Sequence, residues 1–252
     1  ALQARAGDQA LAAAQAWKQA TPQSTDANRY VLQILIALNR IDDIPTPLRE
    51  MLDQTPDAEK PGMLLALPQL LRRAPDKAQA ARMLEKALNT ELRAEGAAAA
   101  AAWTAIGRMR LQAQDATGAL DAARRGQASH AQADGPAVLA LELMENGTAD
   151  AEPLLTAYLQ QRPSPEVRMA YARLLLEQQR YPEARSQLKA VTTEKPDLPQ
   201  AWLAQAALQV QDQQYEAAEA SLGELLRLAK SSPDNETLRA SLTQAYLLHA
   251  QI

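Results

Sequence analysis

Residues 165–230 contain one supersecondary unit written twice, and that duplication constrains the fold more than any other feature of the chain. Glu177-Gln178-Gln179-Arg180-Tyr181 is answered by Gln211-Asp212-Gln213-Gln214-Tyr215, Ala184 by Ala218 and Leu188 by Leu222, each 34 residues later. An offset of that length is the period of a helix-turn-helix repeat. One such unit cannot bury its own apolar face, so it folds only by stacking on neighbours. The duplication predicts an all-α chain built by repetition, with no strands.

The residue pattern within each copy resembles the tetratricopeptide repeat. A large residue and then a small one stand on the first helix (A). A tyrosine opens the second (B), a small residue follows one turn in, an apolar residue four later, and a proline closes the unit. The first copy fills these places with Tyr171, Ala172, Leu175, Tyr181, Ala184, Leu188 and Pro196. The second has Trp202, Ala206, Tyr215, Ala218 and Leu222, its proline displaced to Pro233. The small residues have a steric role, since Ala172 and Ala184 fall where helices A and B cross and let their axes approach. The resemblance implies a right-handed α-solenoid of stacked antiparallel helix pairs, a tetratricopeptide-like superhelix of about 14 helices.

Extended along the chain, this register divides residues 1–252 as a single array. It comprises a half-unit 1–22, repeats 24–58, 60–94, 97–131, 133–164, 165–198 and 199–233, and a terminal helix 235–252. The small positions of helix B fall at 10, 44, 80, 119, 151, 184 and 218, spaced 34, 36, 39, 32, 33 and 34. Ala1–Ala6 reads as the end of a helix A, Gly7-Asp8 as turn and cap, and Asp8–Ala20 as a helix B closed by Pro22. Because Ala1 is not an initiator methionine and the chain opens inside a repeat, an N-terminus cut by processing or truncation is expected; no signal peptide is visible. Ile44 stands where a small residue belongs, which predicts a wider crossing there. Pro68 is expected to kink or shorten its helix A, and Pro75-Asp76 to stop one helix and cap the next. Trp103, Ile106 and Gly107 reproduce the family's W-x-x-L-G arrangement, with Gly107 read as a close-packing glycine and Asn146-Gly147 as a C-cap turn.

The composition removes several function classes. Lysine and arginine total 26 against 30 aspartates and glutamates, a net charge of −4, which disfavours a nucleic-acid binder. No cysteine is present, so disulfides and thiol-based metal or redox chemistry are absent. The longest apolar run, Ala97–Trp103, is too short to cross a bilayer, and no direct membrane insertion is expected. His130 and His249 lie 119 residues apart and make an implausible metal pair. No nucleophile elbow, phosphate loop or metalloprotease motif occurs, and Asp42-Asp43 reads as helix-capping surface. No catalytic residue, cofactor or metal is expected.

What remains is the surface the architecture creates. In this family the A helices line a concave groove, and the register assigns its faces. They are Arg29, Gln33 and Ile36; Leu65, Gln69 and Arg72; Thr104, Arg108 and Leu111; Met169, Arg173 and Leu176; and Leu203, Ala207 and Val210. Four arginines and no carboxylate occupy these places although the chain is acidic, so the expected ligand is an extended peptide held through its carboxylates or carbonyls. The lysines and asparagines of the carboxylate clamp in chaperone-binding family members are missing, which makes a chaperone tail a poor candidate.

The function implied is a non-enzymatic protein-interaction scaffold or adaptor with an unidentified protein or peptide partner. The alternative is a periplasmic segment of a polysaccharide-export or envelope-assembly machine. Solvent-facing groove aromatics would favour it, but Tyr30, Trp103 and Trp202 fall on expected packing positions. The alanine- and glutamine-rich, cysteine-free, lysine-poor composition resembles that of proteobacterial outer-membrane repeat lipoproteins that serve as adaptors. That likeness implies a periplasmic or outer-membrane-associated location, and otherwise a cytoplasmic one. Open array ends and the alanine run at 97–103 are expected to favour self-association.

Overall fold

The computed structural model describes residues 2–161, 164–231 and 236–249. Among them are fourteen α-helices, four short 3-10 turns and no strand. The helices fall into two compact units, residues 1–161 and 162–252. The first holds α1 (Leu2–Ala20), α2 (Thr25–Ala37), α3 (Pro45–Gln54), α4 (Lys60–Leu70), α5 (Lys77–Ala87), α6 (Ala97–Gln112), α7 (Ala116–Ser129), α8 (Asp134–Glu145) and α9 (Glu152–Gln161). The second holds α10 (Pro165–Glu177), α11 (Tyr181–Glu194), α12 (Pro199–Gln211), α13 (Tyr215–Ser231) and α14 (Glu236–His249). Pro233, Asn235 and residues 250–252, to which the sequence reading gave closing or terminal roles, lie outside the described residues.

One turn geometry recurs between helix A and helix B. Asn39, Gln114, Gln179 and Gln213 adopt φ near +60° and Gly147 φ +86°, each one residue past a helix C-cap. In each case the next residue's N–H donates back to a carbonyl five positions earlier: Arg40 to Leu35, Asp115 to Arg110, Thr148 to Leu143, Arg180 to Leu175 and Gln214 to Gln209. This Schellman closure satisfies carbonyls that a helix end leaves unpaired. Asn146-Gly147 thus forms the expected C-cap turn. The exception is the link from α4 to α5, where a 3-10 turn, Leu71–Arg73, replaces the left-handed residue.

Small residues set the closest helix crossings. Ala119, Ala151, Ala184 and Ala218, expected at the small place of helix B, are fully buried, as are Ala172 and Ala206 on the A helices facing the last two. Gly107 on α6 sits where three helices meet: a Cβ there would lie 2.2 Å from Leu139 Cδ2 on α8 and 3.3 Å from Ala122 Cβ on α7. It is a packing glycine. α6 is the central helix of its unit and touches α4, α5, α7 and α8. Its alanines at 99–102 are therefore all buried, which corrects the expectation that this run offers a surface for self-association. α4 packs closely on α6 rather than on its own partner α5. Bulky Leu64 and Leu67 stand on α4 where a small residue belongs, while the alanines of α6 let the axes close. Pro68 lies inside α4 two residues before its end.

Three local expectations are overturned. Gly7-Asp8 is not a turn, because α1 runs unbroken from Leu2 to Ala20; alanine-rich sequence on both sides outweighs one glycine. Ala10 is exposed, and Leu11 and Ala14 are the residues of α1 that pack. Tyr30 is not at a packing position: the residue is 48% exposed, and its ring meets that of the 41% exposed Trp17 at 5.6 Å. Trp103 and Trp202 are half-buried, the first beneath the Arg125 guanidinium and the second donating its indole N–H to the Pro196 carbonyl.

Polar staples join successive elements. In the first unit Glu91 is buried and receives both terminal nitrogens of Arg49, at 2.7 and 2.9 Å, while Arg49 Nε donates to Asp53. These bonds, led by the one to Glu91, hold the guanidinium protonated even more firmly than usual. In the second unit a polar chain crosses three helices. Thr192 donates to Gln205, Gln205 donates to Ser221, and Ser221 donates to Gln209, with Thr192 and Ser221 both buried.

Candidate functional site

The C-terminal turns of α2 and α4 enclose a cleft of about 620 Å³ in the first unit, lined by Gln33, Ile36, Ala37, Asn39, Gln69, Leu70, Arg72, Arg73 and Pro75. The two walls are equivalent stretches of successive repeats. Gln33 answers Gln69, Ile36 answers Arg72, Ala37 answers Arg73 and Asn39 answers Pro75, all at an offset of 36 residues. The walls differ in how their helices end. α2 closes on Asn39 in the left-handed conformation, whereas α4 runs on into the 3-10 turn that carries both arginines. Lys77 locks that turn: its Nζ donates to the Arg72 carbonyl and, at 2.7 Å, to the Ala74 carbonyl. The side chains of Arg72 and Arg73 are exposed, and among the described residues neither forms an ion pair or a side-chain hydrogen bond. No carboxylate is among the lining residues.

Four of the residues assigned from sequence to the groove are thus brought together here: Gln33, Ile36, Gln69 and Arg72. Arg29 is exposed but paired with Asp26 on the same helix, at 2.8 Å. Leu65 is half-buried against the core. Thr104 does not face solvent; it is fully buried and its hydroxyl donates to the Ala100 carbonyl at 2.8 Å. Arg108 meets a carboxylate that the sequence reading left out of the groove, donating to Glu142 of α8 through Nε and Nη2 at 2.9 and 2.7 Å. Leu111 is half-buried.

In the second unit Met169 is buried, a consequence of packing on both sides of α10. Arg173 is exposed with no ion pair among the described residues. Leu176, Leu203 and Val210 are half-buried and Ala207 is exposed. The inferred stripe of four arginines reduces to two whose charge is uncommitted, Arg72 and Arg173, and these stand in different units.

The reading from sequence missed Arg73, Lys77 and Glu142. The signal for the first two was present as an irregularity, because Leu71-Arg72-Arg73-Ala74-Pro75 breaks the polar turn that precedes helix B elsewhere. Glu142 follows Arg108 by 34 residues, the repeat offset that brings one A helix beside the next.

The arrangement offers polar donors, two free positive charges and an apolar floor. Among the described residues no group of three or more His, Cys, Asp or Glu could hold a metal ion. No helix among them is long and apolar enough to cross a membrane.

Comparison with curated proteins found no match. Among solved structures, MamA MSR-1 is 18% identical, with 69% of this chain and 97% of that one covered and a TM-score of 0.45. The MamA RS-1 double mutant is 11% identical, with 70% and 98% covered and a TM-score of 0.48. A thermophilic TPR protein from Thermus thermophilus is 17% identical, with 74% and 99% covered and a TM-score of 0.44. The family model for the tetratricopeptide repeat matches residues 142–208, a segment that contains Tyr171, Ala172 and Ala184 at the packing places described above. Over residues 142–208 the chain is therefore similar to the tetratricopeptide repeat.

Proposed function

We propose that this chain is a non-catalytic protein-interaction scaffold that holds an extended peptide segment of its partner in the cleft between the C-terminal turns of α2 and α4. The observation that carries the reading is the pairing of equivalent polar side chains, Gln33 with Gln69, across an open cleft whose floor includes Ile36 and Leu70. Glutamine amides both donate and accept, which suits the alternating N–H and C=O groups of an extended backbone. The volume lies within the ~300–1,000 Å³ typical of ligand sites.

The test is capture of partners by the immobilised protein compared with a Gln33→Trp/Gln69→Trp variant, in which two indoles fill the cleft. Both replaced residues are exposed, so the fold is expected to survive, and circular dichroism checks it. Partners retained by the parent and lost by the filled variant support the reading. Identical partner sets for the two proteins refute it. The cysteine-free, lysine-poor composition supports a periplasmic or outer-membrane-associated location, tested by fractionation of the tagged protein in its own cell. Self-association belongs to the same reading, supported by Tyr246 and Leu247 standing exposed on α14, and sedimentation at rising concentration tests it.

A further inference from the structure

Several arginines of the first unit are already engaged: Arg49 grips Glu91, Arg108 grips Glu142, and Arg110 grips Glu85. Arg72 and Arg73 are not, although the chain as a whole is acidic. They sit side by side in one cleft, with no carboxylate among its lining residues. Two helix C-termini also point there, and each contributes roughly half a negative charge. Two full guanidinium charges outweigh that sum, so the cleft stays positive. Lys77 lowers the negative contribution further by donating to the carbonyls of Arg72 and Ala74. Each guanidinium presents a planar fork of donors that matches a carboxylate.

We infer that the cleft selects a peptide segment bearing two acidic side chains, Asp or Glu, one for each of Arg72 and Arg73. This rests on the groove reading above and adds the chemistry of the occupant. Arg72 and Arg73 take the carboxylates, Gln33 and Gln69 bond the peptide backbone, and Ile36 and Leu70 receive a neighbouring apolar side chain. Charge complementarity decides the occupant: a basic or purely apolar segment would leave two guanidiniums desolvated without a partner.

The experiment selects binders from a phage-displayed random decapeptide library, in parallel on the parent, on Arg72→Gln/Arg73→Gln and on the cleft-filled Gln33→Trp/Gln69→Trp variant. Arg72 and Arg73 are exposed, so their replacement leaves the core untouched. The expected result is enrichment of Asp and Glu on the parent and loss of that enrichment on the arginine variant. Synthetic copies of the selected peptides should bind the arginine variant about tenfold more weakly or worse, the scale of a lost charge-assisted hydrogen bond. Their affinity for the parent should fall with added salt. Enriched peptides without acidic residues, lost on the filled variant but kept by the arginine variant, would overturn the inference while leaving the groove reading intact. Peptides bound equally by all three proteins would overturn both.

Discussion

Replacing Gly107 by alanine should destabilise the first unit, while the same change at Gly223 should stabilise the second. Both glycines lie inside helices, so each substitution gains helix propensity of about 1 kcal/mol. At Gly223, in α13, an added Cβ meets nothing within 4 Å, and the gain stands, a net stabilisation of ~0.5–1 kcal/mol. At Gly107 the new methyl would lie 2.2 Å from Leu139 Cδ2, with Ala122 Cβ at 3.3 Å and the Ala119 carbonyl at 3.4 Å. Leu139 is fully buried and has no solvent to swing into, and the other two contacts belong to α7 itself. Overpacking of this kind costs about 1–3 kcal/mol, which leaves a net loss of up to roughly 2 kcal/mol after the propensity gain. Leu139→Ala alone should cost ~2–5 kcal/mol, and with Gly107→Ala the pair should cost less than the sum by at least about 1 kcal/mol, because the methyl enters the space that leucine vacates. Urea denaturation supplies the free energies, and hydrogen exchange read peptide by peptide assigns each shift to its own unit. If Gly107→Ala stabilises as much as Gly223→Ala, or if Gly107→Ala and Leu139→Ala are additive, then Gly107 is not what lets α6, α7 and α8 approach.

Three further predictions follow from single contacts. Arg49→Ala leaves Glu91 buried without its cation and should cost about 2–4 kcal/mol, discounted from a fully buried pair because Arg49 is partly exposed; a double-mutant cycle with Glu91→Ala should return a coupling above ~1 kcal/mol. Gln179→Gly or Gln213→Gly places glycine where φ is near +60° and should stabilise by ~0.5–1 kcal/mol, read as a raised denaturation midpoint; a lowered midpoint would contradict the turn geometry. The hydrogen bond from Lys195, at 2.5 Å, holds the Glu166 carboxyl below its ordinary range, so Lys195→Ala should move its NMR titration upward. Because the folded-state value is depressed, the pair's contribution to stability is present above the ordinary carboxylate range and fades as pH falls through the depressed value. Both groups are exposed, so the effect should be visible in the titration and small in the denaturation midpoint.

The helices were legible because their packing rests on residue size at fixed spacing, which a sequence displays directly. Ala172, Ala184, Ala206 and Ala218 recur at the repeat offset and are all fully buried, and Gly107 was recognisable as a packing glycine from Trp103 and Ile106 before it. What the sequence hid depends on neighbours it does not name. The role of Arg108 follows from Glu142 on the next A helix, and the burial of Met169 and Thr104 from packing on more than one face of their helices. Gly7 was misread for a related reason: a glycine before an aspartate signals a turn locally, but α1 continues through it and Leu38 covers its flank. The register slip that put Ala10 rather than Leu11 inside follows from the same mistaken turn.

The left-handed turn explains why the cleft lies where it does. In five of the six described links from helix A to helix B, a residue at positive φ closes the helix in a Schellman motif, and helix B follows directly or after a single 3-10 turn. In the link from α4 to α5 the missing N–H of Pro68 weakens the last turn of α4, and the chain tightens into 3-10 geometry over Leu71–Arg73. That departure accompanies the longest spacings in the series of helix B positions, 36 and 39 residues. It also leaves Arg72 and Arg73, the equivalents of Ile36 and Ala37, in a 3-10 turn, where α2 is still in its last α-helical turn. The irregular link also sets two uncommitted charges, Arg72 and Arg73, side by side. A binding site specific to this chain is expected at such a departure, because residues that satisfy the repeat pattern are already committed to packing.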